Sequence, residues 1–339
     1  AEKKLAAGGK VLFLPPYHQL SWDSPPVGRL PIFWNRLMGP GWDRFLGLLC
    51  DPNHPALAQF PTDFHYDWQW QDVTQPACRA MNLDRLSRDL GPIVQVIDDW
   101  YRNYKLGLVF ECRVGAGKLM VCSADLESEL DRRPAARQLR HSLLTYMSSG
   151  RFDPAVEVTP AQIRSFLFDN QIMAKLGASA KADKEAFGSR AGYAVDGNPN
   201  TCWLAGGGRD RQTRHPYELT IEFAQPTAMT GLLCMARQNH RAHEGDIREY
   251  AIEVSDDGEL WEEVTRGELE STFEPQQVGF GRSIEAKFLK LRALSGFADD
   301  TACALAELAV LRETPRDAAA GDVEPYRNVE TATEEIEGP

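Results

Sequence analysis

No stretch of about 18 apolar residues occurs in this chain of 339 residues, so no segment is built to cross a bilayer as a helix. Paired cysteines are missing too. The seven present (Cys50, Cys78, Cys112, Cys122, Cys202, Cys234 and Cys303) form no C-x-x-C pair, and their odd number excludes a complete disulfide set. Basic residues are in deficit, 37 Lys and Arg against 49 Asp and Glu, a net charge of -12. That balance argues against a nucleic-acid backbone or an anionic membrane as the main partner. No G-x-C-x-G or G-x-S-x-G elbow is present to expose a hydrolase nucleophile. The chain opens on Ala1-Glu2-Lys3-Lys4 without Met or an apolar leader, and reads as a processed or excised piece of a longer protein.

What the chain does contain is the balance of a globular protein, 43% hydrophobic and 25% charged, at a length that suits two domains. The charge is uneven. Residues 1–170 hold 19 basic and 19 acidic side chains, whereas residues 171–339 hold 18 and 30, the whole of the excess. Half of that excess lies in 313–339, with 8 acidic and 2 basic side chains beside Pro315, Gly321 and Pro325. This composition suits a solvated, disordered tail that cannot bury enough surface to fold alone.

In the first half, Lys10-Val-Leu-Phe-Leu14 is a continuous apolar run between Gly8-Gly9 and Pro15-Pro16, the pattern of a strand buried on both faces as parallel sheets require. Residues 105–112 alternate, with Leu106, Leu108, Phe110 and Cys112 on one side. After Gly115-Ala-Gly117 a second run, Leu119-Met-Val-Cys122, predicts a hairpin. From Pro134 the period turns helical through Ala136, Leu139, Leu143, Leu144 and Met147, and Gly150 marks the end. Strands mixed with helices indicate an α/β domain. Cys112 and Cys122 read as small core residues. Cys50 followed by His54 has the residue types of a nucleophile and its base, with no oxyanion element legible nearby. The stretch from Phe60 to Asp72 gathers His65, Asp67, Trp68 and Trp70 with Asp63 and Asp72. It reads either as a sugar-facing surface, with rings for stacking and carboxylates for hydroxyls, or as a loop whose aromatics pack while its polar groups cap.

Gly47 to Asp72, Pro92 to Lys105, Gly115 to Asp125 and Arg133 to Leu139 together resemble one region of known proteins. It is the part that follows the catalytic barrel in large bacterial glycoside hydrolase family 2 proteins, the β-galactosidase and β-glucuronidase relatives. The resemblance covers residues 8–150 and implies a glutamine-amidotransferase-like, flavodoxin-type fold carried as a non-catalytic module. The enzyme itself is not expected in this chain. A retaining glycosidase needs two carboxylates about 5–5.5 Å apart on a rigid scaffold. In that family the scaffold is a barrel of about 250 residues, more than the first half holds.

The second half reads as all-β. Tyr217, Leu219, Ile221 and Phe223 alternate with polar residues, as do Tyr250, Ile252 and Val254, then Leu289 and Leu291, and Leu305 to Leu311 closes the series. Ser255-Asp-Asp-Gly258 supplies a turn ahead of Trp261. Short strands joined by turn chemistry predict a β-sandwich. The expected layout is an α/β module over 1–152, a linker with a short helix over 153–174, the sandwich over 175–312 and the tail over 313–339.

Three segments of the sandwich, Ala194 to Trp203, Tyr250 to Trp261 and Ala306 to Val310, are similar in order and spacing to the F5/8 type C (discoidin) family, which includes carbohydrate-binding module family 32. The resemblance implies an eight-stranded jelly roll with ligand loops at one end. Asp196, Asn198 and Thr201 place oxygen donors in one short loop, and Gly197 permits its turn; a hard cation such as Ca²⁺ takes six to eight oxygens. Carried over from the family, the ligands of a structural Ca²⁺ are the Tyr193 carbonyl, Asp196, Asn198, Thr201, the Ala306 carbonyl and Glu307. The bland alternative is an ordinary Asx-turn beside a satisfied Glu.

The family's sugar site implies one stacking aromatic with Arg, His or Asn donors on loops. The candidates are Arg237, Asn239, His240, His243 and Arg248, with Phe297 as the stacking ring and a terminal galactose- or uronate-like sugar as ligand. Arg237 and Arg248 suit packing along the sandwich edge equally well. Trp203 and Trp261 read as core. The resemblances together imply a non-catalytic, exported region of a bacterial glycosidase, periplasmic or secreted, whose barrel lies upstream in the same polypeptide. Two alternatives stay open: an enzyme using the His65, Asp67, Trp68 and Trp70 cluster, and a discoidin module that binds protein.

Overall fold

A hairpin of two residues decides the character of the first sheet. In the computed structural model, which describes residues 1–27, 45–75, 78–98, 102–207, 214–238, 243–297 and 301–312, the chain divides into two compact units, Ala1–Phe168 and a second that begins at Asp169. The acidic stretch 313–339 lies outside the described residues.

The first unit runs α1 (Glu2–Ala6), β1 (Lys10–Phe13), β2 (Gly47–Cys50), α2 (Trp68–Thr74), β3 (Met81–Asn82), β4 (Val94–Ile97), β5 (Lys105–Val114), β6 (Gly117–Cys122), α3 (Pro134–Ser148) and α4 (Pro160–Arg164). Its sheet has the order β1-β6-β5-β4-β2, with β3 added on β5. Only β1 and β6 pair in parallel; β6–β5, β5–β4, β4–β2 and β3–β5 are antiparallel. This corrects the expected flavodoxin-type sheet. A parallel crossover needs a dozen or more residues, usually a helix, yet only Gly115-Ala116 joins β5 to β6 and 98–104 joins β4 to β5. The result is a mixed α/β sheet.

The predicted hairpin and the helix from Pro134 are both present. The alternation along β5 is broken, however. Leu106, Leu108 and Val109 join one core cluster with Trp70, Leu139 and Leu143, while Phe110 and Cys112 join the other with Leu5, Leu119 and Phe166. A register shift opposite Val94 and Gln95 inserts an extra residue into β5 and reverses its faces. Cys112 and Cys122 are wholly buried core residues. The stretch read as a linker is packed instead: Val158 and Phe166 are buried in the first unit, and Ile172 and Met173 in the second.

The second unit contains α5 (Ile172–Lys175), β7 (Ser179–Ala182), β8 (Trp203–Gly206), β9 (Tyr217–Met235), β10 (Glu249–Ser255), β11 (Glu262–Glu268), β12 (Gln276–Ala293), β13 (Ala302–Leu305) and β14 (Glu307–Leu311). Every pairing among these strands is antiparallel, in the order β11-β10-β12-β9-β14 with β7 on β9, and β8 with β13 apart. Tyr217, Leu219, Ile221 and Phe223 are completely buried, as their alternation requires. Trp203 is core, its indole N–H donating to the Lys184 carbonyl at 2.9 Å. Trp261 is not core; it is half-buried, with the Lys290 ammonium 4.0 Å over its ring.

Straight, β12 would reach about 60 Å. Ser271 before it and Phe297 after it nevertheless both contact Asp246. The strand therefore bends, and its register on β9 breaks between Gly279 and Ile284 and again between Ala286 and Phe288. The loops beyond both of its ends gather at one place.

Gly206 closes β8 with φ +63, and a Cβ there would fall on the Thr301 carbonyl and the Tyr217 hydroxyl, which are themselves bonded at 2.8 Å. Gly206→Ala should lower the stability of the second unit by about 2 kcal/mol or more, from backbone strain plus overpacking. Urea unfolding checks this; a loss below about 0.5 kcal/mol would mean that the turn yields.

Candidate functional site

The first candidate site starts from a turn. A 3₁₀ segment, Ala191–Val195, ends at Asp196. Gly197 follows with φ +76, and the Asn170 carbonyl lies against its Cα where a side chain would stand. The Asn198 N–H donates to Asp196 Oδ1 at 2.8 Å, and the Asn200 N–H to Asn198 Oδ1 at 3.1 Å. The Thr201 hydroxyl lies 2.9 Å from Asp196 Oδ2 and 2.8 Å from the Asn198 carbonyl.

Against this loop stands Glu307, the first residue of β14, wholly buried, its carboxylate facing that of Asp196. Ala306 beside it is also fully buried, its N–H donating to the Met235 carbonyl. Tyr193 sits within the 3₁₀ turn, three residues ahead of Asp196. Asp196 is an exposed residue, yet desolvation still raises the pKa of its carboxylate; hydrogen bonds from the Asn198 N–H and the Thr201 hydroxyl oppose that rise. No positive charge acts on Asp196 among the described residues. Two carboxylates and several carbonyl and hydroxyl oxygens thus meet in a desolvated place, the donor set of a hard cation. These residues fit Ca²⁺.

The second candidate site is built from three loops. Arg237 follows β9, and its charge acts on Asp246. His243 has φ +53, holds Nδ1 2.8 Å from Asp246 Oδ2, and stacks on Phe273 with centroids 4.3 Å apart at 30°. The Ser271 hydroxyl donates to the same carboxylate oxygen at 3.3 Å. Asp246 is 1% exposed, and burial raises its pKa against the opposing His243, Ser271 and Arg237. The Phe297 N–H donates to the Asp246 carbonyl at 3.2 Å, and the Phe297 side chain is 42% exposed. The Arg248 guanidinium lies 6.0 Å from that ring and 3.5 Å from Glu268. Asn239 and His240 lie outside the described residues.

The fold therefore brings together Arg237, His243, Arg248 and Phe297. It adds Asp246, Ser271 and Phe273, which sequence reasoning missed. Asp246 lay in a loop valued for its basic residues. Phe273 comes from the turn between β11 and β12, where nothing in the sequence pattern singles it out.

The candidate cluster in the first unit does not converge. Trp70 is completely buried, its indole N–H on the Thr62 hydroxyl at 2.8 Å, whereas Trp68 is 86% exposed. Asp67 caps α2 through the Gln69 N–H, and Asp72 caps α3 through the N–H groups of Ala135 and Ala136. His65 is exposed, with Nδ1 3.0 Å from the Tyr66 carbonyl. Cys50 and His54 are engaged elsewhere. The thiol donates to the Asp63 carbonyl, and His54 Nδ1 accepts from the Ala56 N–H. Burial raises the Cys50 pKa, the reverse of what a nucleophile needs.

Comparison with protein families matches residues 177–308 to the F5/8 type C domain. The second unit is an F5/8 type C domain. Residues 1–168 match "Domain of unknown function (DUF8487)". The first half therefore carries a DUF8487 domain, and the glutamine-amidotransferase-like assignment finds no support in its family or its sheet. Comparison with curated proteins gives no match.

Among solved structures, the F5/8 type C part is similar to the family 32 module of NanJ from C. perfringens in complex with galactose, at 25% identity over 39% of this chain and 92% of that one, TM-score 0.36. It is also similar to the third such module of a family 31 glycoside hydrolase from Clostridium perfringens, at 27% identity over 42% and 91%, TM-score 0.36. A third is the C-terminal domain of a chitobiase from Bacteroides fragilis, at 20% identity over 41% and 95%, TM-score 0.36. No helix among the described residues is long and apolar enough to cross a membrane.

The two tryptophans of the first-unit cluster should separate sharply on mutation. Trp70→Ala should cost about 3–5 kcal/mol in denaturant unfolding of the first unit, and Trp68→Ala less than about 0.5 kcal/mol. Equal losses would mean that both rings serve one packed structure.

Proposed function

We propose that the F5/8 type C domain is a calcium-stabilised carbohydrate-binding module that holds a terminal galactose- or uronate-like sugar. The observation that supports this reading is the grouping of Arg237 and His243 on Asp246, whose carbonyl holds the Phe297 N–H, with the Arg248 guanidinium 6.0 Å from the half-exposed Phe297 ring. An aromatic face suits the apolar side of a pyranose, and flanking guanidinium and imidazole groups suit its hydroxyls or carboxylate. Asn239 and His240 belong to the same loop in this reading.

The Ca²⁺ ligands are the Tyr193 and Ala306 carbonyls with Asp196, Asn198, Thr201 and Glu307. The ion supplies the positive charge that the facing carboxylates call for and pins the Asp196 loop to β14. In this reading the chain is the ancillary, non-catalytic region of an exported bacterial glycoside hydrolase, periplasmic or secreted, with the catalytic barrel elsewhere in the same polypeptide. The sequence resemblance of the first half to family 2 hydrolases supports a parent of that kind, although the sheet is not of the flavodoxin type. An acidic chain disfavours anionic lipid as the discoidin ligand.

Melting in excess Ca²⁺ and in chelator tests the ion. A hundredfold excess over Kd should stabilise the second unit by about 2.7 kcal/mol, and Glu307→Gln should remove the difference. Equal melting of the native protein in both conditions would dismiss the site. A glycan array tests the sugar. Retention on galactosylated or uronate-ended glycans, weakened tenfold or more by Phe297→Ala, is the expected result. No retention on any glycan would sink the carbohydrate reading and favour a protein partner.

A further inference from the structure

Three features of His243 point the same way. Its backbone is left-handed, φ +53, a conformation that costs a residue with a Cβ about 1–2 kcal/mol and persists only where the surroundings enforce it. Its ring lies nearly flat on Phe273. Its Nδ1 meets the carboxylate of Asp246, a side chain with almost no exposure. Asp246 is itself tied down. Its N–H donates to the His243 carbonyl at 3.1 Å, its carbonyl accepts from Phe297, and its Oδ2 also accepts from Ser271. Ring plane, ring edge and backbone are thus all fixed from neighbouring loops.

A carboxylate only accepts hydrogen bonds, so a neutral imidazole facing one must carry its proton on Nδ1 and leave Nε2 as a bare acceptor. We propose that Asp246 is the positioning residue of this site. It holds His243 as the Nδ1–H tautomer, so Nε2 accepts from the ligand and the domain selects a sugar whose hydroxyl donates there. Phe273 fixes the plane in which that bond forms. This rests on the carbohydrate reading of the loop cluster, and it adds a direction to the hydrogen bond at its centre.

The experiment is ¹⁵N-histidine NMR of the full chain at neutral pH, combined with calorimetric titration of galactose and galacturonate. The chain has seven histidines, and His243→Gln assigns the signal. The native protein should show His243 with the proton on Nδ1. Asp246→Asn, whose amide can donate to Nδ1, should move the proton toward Nε2 and weaken the bound sugar at least tenfold while melting stays within a few degrees. Phe273→Leu should weaken binding without changing the tautomer. A native Nε2–H tautomer, or an Asp246→Asn protein with native tautomer and affinity, overturns the positioning role. If Asp246→Asn fails to fold, the native tautomer alone decides. If neither sugar binds the native protein, the carbohydrate reading fails for these ligands, while the tautomer still tells whether Asp246 sets the ring.

Discussion

The pairing of β12 with β9, and its interruption, governs everything the second unit presents. From Leu291 opposite Leu219 to Val278 opposite Leu232, the two strands share a ladder whose inward residues are buried. Between Gly279 and Ile284 the ladder slips, around a Gly281 that has φ +68. A bulge there lets a long strand turn through the sandwich without giving up its hydrogen bonds on either side. Without that turn, the residues before β12 and after it would lie tens of ångströms apart. With it, Ser271 and Phe297 reach the same aspartate. The candidate sugar site is therefore a consequence of sheet geometry before it is a matter of side-chain choice.

The Asp196 loop follows the same logic at lower cost in architecture. Its oxygens come from neighbouring residues, and only the Ala306–Glu307 pair arrives from far along the chain, delivered by the pairing of β14 with β9. A short loop of this kind is visible in sequence because its geometry is local. Asp, Asn and Thr at fixed offsets around a glycine have few conformations that satisfy them all. The distant Glu was legible only through resemblance, since nothing in the continuous buried run of β14 distinguishes a buried carboxylate from an error of pattern.

The same division explains what else the sequence disclosed. The strands of the sandwich and the helix at Pro134 were legible because each carries a clean period. The face reversal within β5 was not, since a bulge at Gly107 to Val109 leaves the apolar residues in place and changes only which core they enter. The parallel sheet was misread from β1, where the inference is correct for one pair, β1 with β6, and fails for the rest. Phe273 was invisible because its role depends on the bend of β12. No local pattern encodes that.

Aspartates show why residue types alone misled in the first half. Asp51, Asp67 and Asp72 direct their oxygens to backbone N–H groups of turns and helix starts, so each is accounted for by the segment it caps. Asp246 directs its carboxylate instead to an imidazole and a hydroxyl, and Asp196 to a hydroxyl as well as to one N–H, with the Glu307 carboxylate facing it. A carboxylate closed on backbone amides has finished its work when the chain folds. One that holds other side chains fixes where their remaining donors and acceptors point, and those are the groups left to meet a ligand. By that criterion the aromatic and acidic stretch from Phe60 to Asp72 builds the first unit, and the sparser loops around Asp196 and Asp246 are the candidate sites of the second.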